Sequence, residues 1–280
     1  MSAGPSRTAD EPGGLTAAFR AVRARVGSVL VLLVVAGVCW WWAAEQMAGM
    51  DTGPWSSLGS PGWFLGAWTV MMAAMMFPSV SPTVALYARM TRARRPHLPL
   101  AFTSGYLLVW VAAGALVLAL AALAGAVAGD ALAWNRAGRP LTVATLLFAA
   151  LYEFTPWKSA CLGKCRSPLG FLLGTWRDGW RGATLMGIKL GAWCLGCCWA
   201  LMAAMFALGV MNIVWMASVA LLIALEKLLP WRRTATYVTA AVLVGLAVFV
   251  LVAPHALPGT TIEPMTPMSI MIPAHGTIGG

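Results

Sequence analysis

Three thiols, Cys194, Cys197 and Cys198, lie within five residues of one another in the stretch GAWCLGCCWALMAAM. Offsets of three and four residues amount to about one helical turn, so a helix here carries all three on one face. Continuing by the same steps reaches Met202 and Met205, where thiols give way to thioethers. A second pair, Cys161 and Cys165 in CLGKCRSP, lies in the polar segment just upstream, and Met71, Met72, Met75 and Met76 cluster earlier in WTVMMAAMMFPSVSP. Thiolates and thioethers are soft ligands that select Cu(I), zinc or an iron–sulfur cluster; the carboxylates that suit magnesium or calcium are nearly absent from these stretches. The thioethers tip the choice towards Cu(I). Zinc would more often recruit histidine, yet His97, His255 and His275 all lie outside the Cys-bearing segments. An iron–sulfur cluster needs four ligands, which Cys161, Cys165 and two of the later thiols could supply. Zinc and the cluster stay open at this point.

The candidate ligands are therefore Cys161, Cys165, Cys194, Cys197, Cys198, Met72, Met75, Met76, Met202 and Met205, with the two cysteine groups expected to meet at one ion. Each has a plainer reading. Methionine is a common filler of apolar cores, and an isolated buried cysteine behaves as a small hydrophobe, the role expected of Cys39. Lys and Arg flank Cys161 and Cys165, and neighbouring cations lower a thiol pKa, so these two are expected to be reactive thiolates. A different chemistry also fits part of the pattern: a membrane thiol–disulfide oxidoreductase in which Cys194 and Cys197 form a CxxC pair that exchanges electrons with Cys161 or Cys165. It leaves the methionines and Cys198 without a role.

The elements that must position these residues are transmembrane helices. Sixty per cent of the chain is apolar and 10% is charged, against roughly 25% charged in a soluble domain. About seven stretches are long and apolar enough to span, near 27–46, 62–88, 99–128, 139–155, 183–208, 211–228 and 234–252. The expected fold is thus all-α, a polytopic bundle over 27–252 with a Cys-bearing loop at 156–182. A disordered basic tail is expected at 1–26, and a flexible Met, His and Pro tail at 253–280. Arg7, Arg20, Arg23, Arg25, Arg89, Arg92, Arg94, Arg95, Lys158, Lys164, Arg166, Arg177, Arg181, Lys227, Arg232 and Arg233 all fall on one side of that arrangement. The positive-inside rule then puts the N-terminus in the cytoplasm and the C-terminus outside. The net charge of +10 is a topology signal with an affinity for anionic headgroups of the lipid bilayer, and calls for no nucleic acid. The first apolar run ends in Trp40, Trp41 and Trp42 rather than a small-residue cleavage site, which marks a retained helix and not a removable signal.

Several features bear on packing. Pro78 and Pro82 each free a carbonyl one turn earlier, and within a membrane such a carbonyl must be met by protein, water or an ion. Gly187, Gly191 and Gly196 give the Cys-bearing helix a narrow side for close approach of a neighbour. Lys189 should find Glu153 or Glu226. The stretch 99–128 reads as an inert packing helix. The chain between 156 and 182 is long enough to dip back into the bundle, which a direct meeting of the two cysteine groups requires. In the tail, Met265, Met268 and Met271 recur between His255 and His275, ligand types that copper accepts in an oxidising compartment.

The combination AWxxMMAAMMxPxxxP (Ala67 to Pro82), YxxTPxKxxCLxxCRxP (Tyr152 to Pro168), GxxCxGCCWxLM (Gly191 to Met202) and the pair Glu226-Lys227 resembles the bacterial DUF2182 family of predicted metal-binding integral membrane proteins. The likeness spans roughly 62–230. It implies metal binding, copper being a plausible identity, in the bacterial plasma membrane. With no catalytic triad, paired carboxylates or nucleotide-binding loop in the sequence, the expectation is a non-enzymatic Cu(I) handler, a transporter or chaperone-like carrier that exchanges the ion with a soluble donor or acceptor protein.

Overall fold

The computed structural model describes residues 12–47, 60–91, 97–128, 139–209, 213–228 and 232–252. Among them the chain is all-helical: α1 (Pro12–Met47), α2 (Pro61–Thr91), α3 (Leu98–Ala128), α4 (Arg139–Tyr152), α5 (Pro156–Cys165), α6 (Pro168–Thr175), α7 (Gly179–Gly209), α8 (Ile213–Leu228) and α9 (Arg232–Val252). Five of them, α1, α2, α3, α7 and α9, are long and apolar enough to cross a membrane, which is consistent with a membrane protein. The other two expected spans come out short. Helix α4 has 14 residues and α8 has 16, or about 21 and 24 Å of rise at ~1.5 Å per residue. Two further expectations are modified. Helix α1 takes in residues 12–26, expected as a disordered tail, and the segment 156–182 is not an open loop but carries α5 and α6. The C-terminal residues His255, Met265, Met268, Met271 and His275 lie outside the described residues.

The local chemistry of α2 explains how a helix with two internal prolines survives. Proline at 78 has no N–H for the carbonyl of Ala74, and the indole Nε1 of Trp40 on α1 donates to that oxygen at 3.1 Å. Proline at 82 likewise orphans the carbonyl of Pro78, which accepts from Ser81 Oγ at 2.9 Å. Both freed carbonyls are thus met by protein, as an apolar surrounding demands.

Glycines let α3 and α7 approach backbone to backbone. A Cβ at Gly187 would overlap the Phe102 carbonyl and lie 2.9 Å from the amide nitrogen of Tyr106; one at Gly191 would lie 3.0 Å from the Tyr106 oxygen; and Gly105 of α3 abuts the Thr184 backbone in return. This is small-residue helix packing, and it fixes α3 against the thiol-bearing stretch of α7. Helix α4 docks on the same helix through Thr142 Oγ1, which donates to the carbonyl of Ala207 at 3.0 Å. Helix α5 starts at an N-cap, Thr155 accepting from the amide of Lys158, with Pro156 in the first turn, where its missing N–H costs nothing. The glycines of α7 do more than receive α3: a Cβ at Gly196 would lie 2.9 Å from the sulfur of Cys161. Helix α5 therefore rests on the Cys-bearing part of α7.

Candidate metal centre

Helix α7 turns the thiols of Cys194, Cys197 and Cys198 into the bundle, where all three are buried and their sulfurs lie within 4.8 Å of one another. The local bonding draws them together, because Cys197 Sγ and Cys198 Sγ both donate to the carbonyl of Cys194, at 3.1 and 2.9 Å. The sulfur of Cys194 faces outward from this trio onto three other helices. It lies 3.0 Å from Tyr106 Oη of α3, 3.0 Å from Lys227 Nζ of α8 and 3.9 Å from Met76 Sδ of α2. The Cys165 thiol, brought in by α5, lies near enough to Cys194 and Cys197 to be perturbed by them, and Cys161 sits against Gly196. All six cysteines are free thiols.

The sulfur spacing suits a soft ion. Two ligands about 2.3 Å from one metal and about 120° apart are separated by about 4 Å, close to the 3.9 Å between Cys194 and Met76. Of the expected methionines, Met76 is the one whose sulfur meets the thiols in the described contacts. Met72, Met75, Met202 and Met205 are buried in the core.

Three features differ from what the sequence suggests. Helix α3, read as inert, supplies the Tyr106 hydroxyl. Lys227, visible only as half of the Glu226-Lys227 pair, has its ammonium among the sulfurs, with Ser79 Oγ accepting from it at 3.3 Å. Finally, Lys189 is exposed, and the two carboxylates expected to pair with it go instead to Lys158, which bonds Glu153 and, at 2.8 Å, Glu226. All three members of this triad are buried. The Lys158 ammonium reaches both acids because α5 folds back between the end of α4 and α8, a path that cannot be read from residue order.

That triad also changes the electrostatics of the second cysteine pair. Helix α5 lies outside the five spanning helices, and there burial, followed by repulsion from Cys197, raises the Cys161 thiol above its usual pKa. Cys165 is raised further, first by its hydrogen bonds to Cys194 and Cys197 and then by burial. The thiolates expected from flanking cations do not arise: Lys158 is committed to carboxylates, Arg166 donates to the Glu226 carbonyl at 3.1 Å, and Lys164 is exposed.

An apolar helical bundle with a buried cluster of soft ligands is the class that the fold and site define. The comparison with protein families narrows it. The PpoB2 family model, described as a copper chaperone, matches residues 65–250, and the chain belongs to that family. The match supports a copper-related family without carrying the DUF2182 name. No curated protein and no solved structure matches the chain.

Proposed function

We propose that this protein is a membrane-embedded Cu(I) carrier that takes up the ion at the thiols of Cys165, Cys194, Cys197 and Cys198 with Met76, and passes it on without catalysing a reaction. Cys161 stands at the edge of this set, and Met72, Met75, Met202 and Met205 form the soft surroundings through which the ion moves. The observation that carries the reading is the convergence of soft sulfurs at Cys194: three thiols of α7 within 4.8 Å of one another and the Met76 thioether of α2 at 3.9 Å, with the α5 thiol of Cys161 packed against Gly196 beside them. A purely structural cluster would not need thiols from a folded-back helix as well as a thioether from a third. Soft sulfur ligands favour Cu(I) over harder ions, and the copper-chaperone family gives the same ion independently. Helices α4 and α8 complete seven crossings of the bacterial plasma membrane, with the N-terminus in the cytoplasm, where a soluble protein donates or accepts the ion.

The test is anaerobic Cu(I) titration of the purified full chain in detergent, with X-ray absorption at the copper edge and a free-thiol count. One tightly held Cu(I) per chain, a shell of sulfur only, and loss of the ion in Cys194→Ser are expected. A chain that binds no copper and isolates with a Cys194–Cys197 disulfide would overturn the reading in favour of thiol–disulfide exchange.

A further inference from the structure

Lys227 is a half-buried cation whose ammonium lies against sulfur. Its Nζ lies 3.0 Å from Cys194 Sγ, 3.9 Å from Met76 Sδ and 3.3 Å from Ser79 Oγ. No carboxylate bridges it among the described residues. The nearest in sequence, Glu226, points roughly 100° away around α8, where it pairs with Lys158. An ammonium that forgoes a carboxylate for sulfur, among buried neighbours, needs a balancing negative charge close by, because an uncompensated charge in such surroundings is costly. The sulfurs that can supply it are those of the metal centre.

We propose that Lys227 tunes the charge of the cargo, shifting the preference of the sulfur cluster by one unit towards the less highly charged soft ion. The proposal rests on the metal-carrier reading above and adds the basis of its selectivity. With n thiolates engaged, the total charge of the loaded site is the ion's charge plus one, from Lys227, minus n. Removing the lysine raises by one unit the ion charge at which the site is balanced, whatever n is. For any fixed number of thiolates, Lys227 therefore favours Cu(I) relative to Zn(II), and its loss favours Zn(II) relative to Cu(I). Low polarity around the site magnifies the difference, since charges there interact more strongly than in water. The hydrogen bond from Nζ uses one of the three lone pairs of a Cys194 thiolate and the Tyr106 hydroxyl can take a second, which leaves one for the metal, so lysine and ion can occupy the site together.

The experiment compares Cu(I) and Zn(II) binding by the full chain in detergent under anaerobic conditions. Cu(I) is competed with bathocuproine disulfonate and Zn(II) with a chromophoric zinc chelator, for wild type, Lys227→Met, Lys227→Gln and Lys227→Arg. The glutamine variant keeps a donor for Cys194 without the charge, and stands in if the methionine variant does not fold. Loss of the charge should lower the ratio of Cu(I) to Zn(II) association constants by about tenfold or more, while arginine should hold it within about threefold. A merely structural lysine would weaken both ions alike, so an unchanged ratio in the uncharged variants overturns the proposal, as does an equal shift in Lys227→Arg. Wild type that binds no Cu(I) defeats the carrier reading and this inference with it. Wild type that binds Cu(I) with no shift on substitution defeats this inference alone.

Discussion

Replacing Gly187 with alanine should separate the two helices that frame the metal centre. The new Cβ would overlap the Phe102 carbonyl and meet the Tyr106 amide nitrogen at 2.9 Å, where non-bonded heavy atoms prefer about 3.5 Å or more. Both obstacles are backbone, so no side chain can rotate away, and α3 must retreat from α7 by more than about 1 Å to relieve the overlap with the Phe102 carbonyl. Overpacking of this kind costs about 1–3 kcal/mol, and a backbone obstacle places the cost near the upper end. At about 2–4 °C per kcal/mol for a chain of this size, melting in detergent should fall by roughly 6–12 °C. Tyr106 travels with α3, so its contact with Cys194 should lengthen and Cu(I) should be held less tightly. Gly66→Ala on α2 is the control, because a Cβ there meets nothing within 4 Å and alanine favours a helix by about 1 kcal/mol. Thermal unfolding followed by tryptophan fluorescence reads both variants. If Gly187→Ala melts within about 2 °C of Gly66→Ala, the close α3–α7 contact does not exist as described.

Two further substitutions separate the other elements of the site. Lys158→Met leaves Glu153 and Glu226 facing each other in a buried space; removing one partner from a buried ion pair costs about 3–5 kcal/mol, so folded yield should drop sharply and recover in part when Glu153→Gln is added. A double variant no better than the single one would show that the carboxylates are not the source of the loss. Gly196→Ala meets only the Cys161 side chain, with the sulfur at 2.9 Å but Cβ at 3.7 Å, so the thiol can turn aside at about 0.5–1.5 kcal/mol. Because alanine regains about 1 kcal/mol in the helix, the variant should melt close to wild type and match Cys161→Ser in Cu(I) affinity; a loss as large as that of Cys194→Ser would mean that α5 itself is dislodged.

How much of this was legible beforehand follows from the range of each interaction. Periodicity and composition lie within a single helix, so the shared face of Cys194, Cys197 and Cys198 could be read from spacing alone. The narrow face at Gly187, Gly191 and Gly196 was equally visible, since close packing needs only an absent side chain, though not which neighbour would use each glycine. Partners between distant elements were not legible. Lys189 and Lys158 are both basic residues on the approach to the thiols, and only the path of α5 decides that Lys158 reaches Glu153 and Glu226. Tyr106 carries no such signal, because a single hydroxyl in an apolar helix has no periodic signature; its one trace in the sequence is as a polar exception, four residues before Trp110, in a span rich in Ala and Leu. The proline carbonyls were anticipated as a need, while Trp40 as the donor follows only from α1 lying beside α2.

The pair Glu226-Lys227 gives the site its coherence. Adjacent residues on a helix point in directions roughly 100° apart, so one short stretch of α8 serves two different neighbours. Glu226 anchors α5, the element that delivers Cys161 and Cys165, through Lys158. Lys227 reaches the sulfurs of α7 and α2. The backbone carbonyl of Glu226 takes Arg166 as well, immediately after Cys165. The second cysteine group is therefore held to α8 at two points, one on each side of its thiols, and α8 is held to the first group by the next residue along. A shift of α5 that withdrew Cys165 would have to break a buried ion pair while leaving Lys227 among its sulfurs, so the position of Cys165 is tied to that of α8. Among the described residues, the polar contacts of the Met76 sulfur are those with Cys194 and Lys227. On the carrier reading proposed above, the Met76 thioether, borne on a flexible unbranched side chain, would be the candidate ligand with the fewest ties to other elements.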